Sequence, residues 1–134
     1  MAERHIVIVG CGRLGGLLAN QLSSQGHSVV VIDRHELAFD ELSPNFSGFR
    51  IVGDAVEYNV MKLARVEEAD YLFAVTMEDN TNLMVAQVAK TIFNVPNVVA
   101  RVYDPARETI YKGFNIQTIS PTQLSAAMFL KMVN

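Results

Sequence analysis

The chain has 134 residues, half of them hydrophobic and 19% charged, with four prolines and eight glycines; this is one ordinary globular domain, and it excludes disordered, collagen-like and two-domain architectures. A formal charge of −3 without any block of basic residues lacks the electrostatic footprint of a nucleic-acid binder. One cysteine allows no internal disulfide, the polar start Ala2-Glu3-Arg4-His5 is no signal peptide, and no apolar run approaches the ~20 residues that span a bilayer, so a cytoplasmic chain without direct membrane insertion is expected.

Short β-branched runs alternate with stretches of helical periodicity, six pairs in all. Ile6 to Val9 precedes Leu14 to Leu22, which ends at Gly26; Val29 to Ile32 precedes a weaker stretch from Leu37 to Leu42. Pro44, Asn45 and Gly48 then predict a loop before Phe49 to Val52 and the helical turn Val60 to Leu63. In the second half Tyr71 to Val75 precedes Leu83 to Phe93, and Val98 to Val102 follows Pro96. Pro105 opens the helix from Ala106 to Tyr111, and Ile116 to Ile119 leads through the cap-like Ser120-Pro121-Thr122 to Leu124 to Val133. Strands apolar at nearly every residue are buried on both faces, which marks a parallel sheet flanked by helices. The expected fold is α/β: a single domain over 1–134 with a doubly wound, parallel, six-stranded sheet, helices on both faces and strand order 3-2-1-4-5-6.

The last helix carries Leu124, Ala127, Met128, Leu130, Met132 and Val133 on more than one face. It packs against another subunit, belongs to a longer protein, or covers the sheet in the ordinary way.

Gly10-Cys11-Gly12-Arg13-Leu14-Gly15 lies at the turn from the first strand into the first helix, where a dinucleotide phosphate loop belongs. Gly10 permits the tight turn, Gly12 removes a side chain that would collide with phosphate, and Gly15 lets helix and strand pack closely. The amides of the helix start then face the anion. Asp33 ends the second strand, eighteen residues after Gly15, where a carboxylate accepts from both ribose hydroxyls and repels a 2′-phosphate, favouring NAD or an adenine nucleotide over NADP. Arg34 beside it is either a 2′-phosphate ligand or a solvated side chain, and Arg13 is either a bidentate phosphate ligand or a surface arginine. Gly53-Asp54-Ala55 and Thr76 follow the third and fourth strands, so Asp54 and Thr76 can approach adenine and ribose from the side opposite the glycine loop. In the Glu78 to Asn82 cluster, Asp79 or Asn80 is the expected cap of the next helix. Arg101, embedded in the fifth strand, needs a partner: a ligand phosphate, or a carboxylate such as Asp54.

Taken together, Gly10 to Gly15, Asp33, Gly53-Asp54-Ala55, Thr76 to Asn82, Ala100-Arg101-Val102 and Ile119-Ser120-Pro121 resemble the RCK/KTN (TrkA N-terminal) family of potassium channel and transporter regulators, across essentially the whole chain. The resemblance implies a Rossmann-fold domain that binds NAD or NADH, or alternatively ATP, ADP or AMP. It also implies assembly as a homodimer or larger ring, cytoplasmic and held at the inner face of the membrane by a potassium-conducting subunit. By position it puts Gly10, Gly12, Arg13, Leu14 and Gly15 at the phosphates, Asp33 at the ribose with Arg34 beside it, Asp54 and Ala55 near adenine, and Thr76 and Arg101 across the crevice. A C-terminal regulatory domain, present in many members, is absent from these residues.

Two other readings stand beside this one, a small NAD-dependent oxidoreductase and a nucleotide-binding subunit of an unrelated complex. Tyr58 and Lys62 have the Tyr-x-x-x-Lys spacing of short-chain dehydrogenases but fall too early in the chain, where a plain exposed helical turn accounts for them. His5, His27 and His35 are scattered, and no metal-ligand spacing is present. Cys11 is a small loop residue or a redox-sensitive thiol at a helix N-terminus.

Overall fold

In the computed structural model, which describes residues 2–134, the apolar runs pair edge to edge because each must satisfy its backbone groups while burying both faces. The strands are β1 (His5–Val9), β2 (Ser28–Asp33), β3 (Phe49–Val52), β4 (Tyr71–Ala74), β5 (Asn97–Arg101) and β6 (Gln117–Ile119). All neighbours are parallel, in the order β3-β2-β1-β4-β5-β6. The helices are α1 (Arg13–Ser24), α2 (Tyr58–Leu63), α3 (Asp79–Thr91), α4 (Glu108–Gly113) and α5 (Pro121–Val133). Among these described residues no helix is long and apolar enough to cross a membrane.

Alternation along the strands divides the core into two layers. Val7, Val9, Val30, Ile32, Leu72, Ala74, Val98 and Ala100 point to one side, where they meet Met61 of α2, Val85, Ala86 and Ala89 of α3, and Tyr111 of α4. Ile6, Ile8, Val29 and Val31 point to the other, against Ala19 of α1 and against Phe39, Leu42 and Phe46. Three local expectations are revised. The weak stretch after β2 is a 3-10 helix, Glu36–Glu41. The stretch after β5 divides into a 3-10 turn, Pro105–Arg107, and α4, because Asp104 caps the turn by accepting from the Ala106 amide. Burial on both faces holds for β1 and β2 but not for β3, an edge strand whose Phe49 is 67% exposed.

Beyond β1 the second layer thins: Tyr71, Phe73 and Val99 are only half-buried, and no residue of α5 is buried. The sheet-covering role is therefore not the one α5 plays here. Ser120 caps it, accepting from the Gln123 amide at 3.2 Å, with Pro121 in the first turn, so its start is sharply defined even though its sides are free.

Candidate functional site

Parallel strands in this order reverse direction of winding between β1 and β4, and the loops there diverge and leave a crevice at the carboxyl ends. A cleft of about 330 Å³ occupies that place. Gly10 and Gly12 line it after β1, Asp33, Arg34 and His35 after β2, and Gly53, Asp54 and Ala55 after β3. Thr76, Met77 and Glu78 close the other side after β4, with Thr81 of α3 and Arg101 of β5.

The glycine loop is built as its spacing demands. Gly10 has φ +105°, and a Cβ there would come within 2.9 Å of the Thr76 nitrogen, so neither backbone nor space admits a side chain. A Cβ on Gly15 would sit 1.8 Å from the Gly10 carbonyl oxygen, and this close approach seats α1 against β1. The open side of Gly12 meets nothing within 4 Å. Gly12 is also the N-cap of α1 and supplies no capping side chain, leaving the first-turn amides free on the cleft side. Arg13 is exposed at the first helical position, Leu14 packs into the core and Gly15 is buried, so these three flank the cleft without lining it.

Asp33 faces the loop from β2, with its side chain 17% exposed. One carboxylate oxygen accepts from the Cys11 amide at 2.8 Å and the other from the His35 amide at 2.8 Å. A carboxylate offers about four acceptor positions, so two remain free on a residue that lines the cleft. Arg34 and His35 are exposed on its rim, with His35 Nδ1 3.6 Å from Asp33. Cys11 itself is buried, and desolvation, reinforced by Asp33, pushes its thiol from 9.0 up to about 11. Cys11 has no exposed surface, so it lacks the accessibility that a redox-sensitive thiol needs.

On the opposite wall Thr76 donates from its hydroxyl to Asn82 Oδ1 at 2.6 Å, and its carbonyl accepts from Arg101 Nη2 at 3.0 Å. The Arg101 guanidinium lies 4.6 Å from the centre of the Tyr103 ring. Burial lowers its basicity, and among the described residues its Nε has no partner. Asp54 is not that partner. Its carboxylate accepts from the Val56 amide two residues on, an Asx turn that opens the loop after β3. The cap of α3 is also revised: Glu78 occupies it without a side-chain bond to a first-turn amide. Asp79 turns instead to the loop after β5, accepting from the Tyr103 and Asp104 amides at 2.7 and 3.0 Å.

Sequence reasoning missed Asn82. It is wholly buried and bonds to both Thr76 and Arg101. Its signal was present: an amide on the same helical stripe as the buried Val85, Ala86 and Ala89. Tyr58 and Lys62 lie outside the cleft, Tyr58 stacked on Phe93 with ring centres 5.3 Å apart and Lys62 paired with Glu67 at 3.5 Å. Among the described residues no group of His, Cys, Asp and Glu could hold a metal ion.

The family model for the TrkA-N domain matches residues 6–121. The Trk system potassium uptake protein TrkA of Streptomyces coelicolor is 42% identical over 127 residues, covering 95% of this chain and 57% of that protein. The TrkA homolog of Pyrococcus horikoshii is 34% identical over 131 residues, covering 91% and 56%. The chain thus spans about half the length of these curated relatives. Among solved structures, the TrkA-N domain of inner membrane protein ybaL from Escherichia coli superposes with a TM-score of 0.87 at 22% identity, covering 99% of this chain and 98% of that one. The AMP-bound Kef C-terminal domain of Shewanella denitrificans gives 0.81 at 20% identity, covering 97% and 82%. The GsuK channel bound to NAD gives 0.71 at 22% identity, covering 88% and 21%, and GsuK bound to ADP gives 0.76 at 20%, covering 92% and 32%.

Proposed function

The chain belongs to the TrkA-N domain family, and from that premise we propose that it is a regulatory domain, not an enzyme, which gates a potassium transporter or channel in response to NAD, NADH or an adenine nucleotide. The observation that carries this reading is Asp33. Its oxygens, each held by a backbone amide, fix the carboxylate in an orientation suited to a cis-diol, opposite the uncapped first turn of α1. In this reading Gly10, Gly12 and the α1 amides receive phosphate, with Arg13 at the loop's outer edge, Leu14 and Gly15 supporting it, and Asp33 holding the ribose. Arg34 borders the ribose, Asp54 and Ala55 flank adenine, and Thr76 and Arg101 close the far side.

The relatives' names support potassium uptake as the process, and the nucleotide-bound neighbours of like fold support NAD, ADP and AMP as the ligand class. The exposed apolar α5 supports a homodimer or larger ring, and in this reading the assembly sits in the cytoplasm against a membrane-embedded partner. Ligand can shift such an assembly only by binding its two shapes with different affinity.

Calorimetric titration of NAD, NADH, NADP, ATP, ADP and AMP into the nucleotide-free chain is the test. Adenine ligands with an unmodified ribose should bind without being consumed, and NADP more weakly. Asp33→Ala should weaken them about 10- to 100-fold, the worth of hydrogen bonds to a charged group. Equal affinity in the variant would remove Asp33 from the site, and turnover of nicotinamide would make the domain an oxidoreductase.

A further inference from the structure

Asn82 sits in the first turn of α3 with no exposed surface. A primary amide in such a place is costly unless its donors and acceptors are matched, and here they are. Oδ1 accepts from the Thr76 amide at 2.9 Å and the Thr76 hydroxyl at 2.6 Å, while Nδ2 donates to the Thr76 and Arg101 carbonyls, each at 3.0 Å. The pattern fixes the orientation of the side chain, because the flipped amide would set its NH2 against a backbone N–H and its oxygen against two carbonyl oxygens.

The bonds join two cleft-lining residues, Thr76 in the loop after β4 and Arg101 at the end of β5. Thr76 lies against the glycine loop at Gly10, and the same Thr76 carbonyl that Asn82 holds is the acceptor for Arg101 Nη2. The guanidinium's direction therefore depends on where Asn82 puts that carbonyl and the end of β5.

We propose that Asn82 is a positioning residue of the nucleotide cleft: by clamping Thr76 to Arg101 it holds the guanidinium at the cleft wall, and so sets affinity for the ligand's phosphates rather than for its nucleoside. This inference rests on the adenine-nucleotide reading above. Its distinct content is that Asn82 acts through Arg101.

The experiment titrates ADP and adenosine into the unsubstituted chain, Asn82→Asp, Asn82→Ser, Arg101→Ala and the Asn82→Ser/Arg101→Ala double variant, with melting temperatures alongside. Asn82→Asp keeps the shape but sets a carboxylate against two carbonyl oxygens. Either Asn82 variant should bind ADP at least about tenfold more weakly while adenosine changes less than about threefold, and Asn82→Ser should have no further effect on ADP once Arg101 is alanine. Unchanged ADP binding, equal losses for ADP and adenosine, or a full loss in the Arg101→Ala background would overturn the proposal and leave Asn82 a folding residue. An unsubstituted chain that binds neither ligand would overturn the nucleotide reading itself, and this inference with it. Should the Asn82 variants fail to fold, hydrogen exchange in the unsubstituted chain decides. The Thr76 amide should gain protection when ADP is added, and unaltered exchange would overturn the clamp.

Discussion

Cys11 and Tyr111 are both weaker acids in the folded chain than in ordinary solution, because burial penalises their anions: Cys11 rises from 9.0 to about 11 and Tyr111 from 10.0 to about 12. The unfolded chain therefore releases these protons at lower pH than the folded one. Stability present below pH ~9 is lost as the pH rises through the ordinary values toward the folded ones, by roughly 2 kcal/mol for each group. Urea midpoints should be level between pH 7 and 8.5 and fall by pH ~11, and Cys11→Ala should remove the earlier part of the fall. Residue roles differ in how visible they are before folding. Gly10 and Gly15 were legible because the constraint on each is local, a positive φ or a contact between adjoining elements. The partner of Arg101 was not, because the Thr76 carbonyl is twenty-five positions away and is a backbone group that any residue type carries.

At the scale of elements, the start of α3 is tied to the segment after β5 at Asp79 and Asn80. Asp79 accepts from the Tyr103 and Asp104 amides, and Arg107 approaches the same carboxylate at 3.9 Å while donating to Asn80. Tyr111 of α4 donates to the Asp79 carbonyl. Asp79→Ala should cost about 1–2 kcal/mol, toward the low end for bonds to a charged group because water can reach the freed amides. The loss should be local: hydrogen exchange should quicken from Tyr103 to Tyr111, with β1 and β2 unaltered, and uniform quickening would show that Asp79 supports the whole fold. The six βα pairs and their order were legible from periodicity and glycine and proline punctuation. The N-terminus of α3 was not, since Asp79 has the chemistry of a cap and uses it on another element.

Over the whole molecule, the open half of the second layer and the free sides of α5 belong to one question. Leu124, Met128 and Met132 are 61%, 57% and 81% exposed and lie four residues apart, so they share a helix face. Apolar surface in such a stripe is stable in water when a second surface covers it. Sedimentation should show a dimer at micromolar concentration, and Leu124→Glu with Met128→Glu should give a monomer whose melting temperature is within a few degrees of the parent. A monomeric parent would exclude α5 as a contact between copies. Scattering curves of the assembly with and without ADP then test regulation: identical curves would deprive gating of its basis.

By itself the sequence determined the parallel sheet, the glycine turn after β1 and the acidic end of β2, because each depends on hydrophobic period or backbone freedom within one βα unit, and the handedness of successive βα units then gave the strand order. Only the tertiary structure decided that Asn82 joins Thr76 to Arg101, that Asp54 stands apart from Arg101, and that α5 leaves the sheet uncovered. Those outcomes turn on which distant groups meet once the strands are aligned, and buried polar groups take whatever partners that alignment supplies.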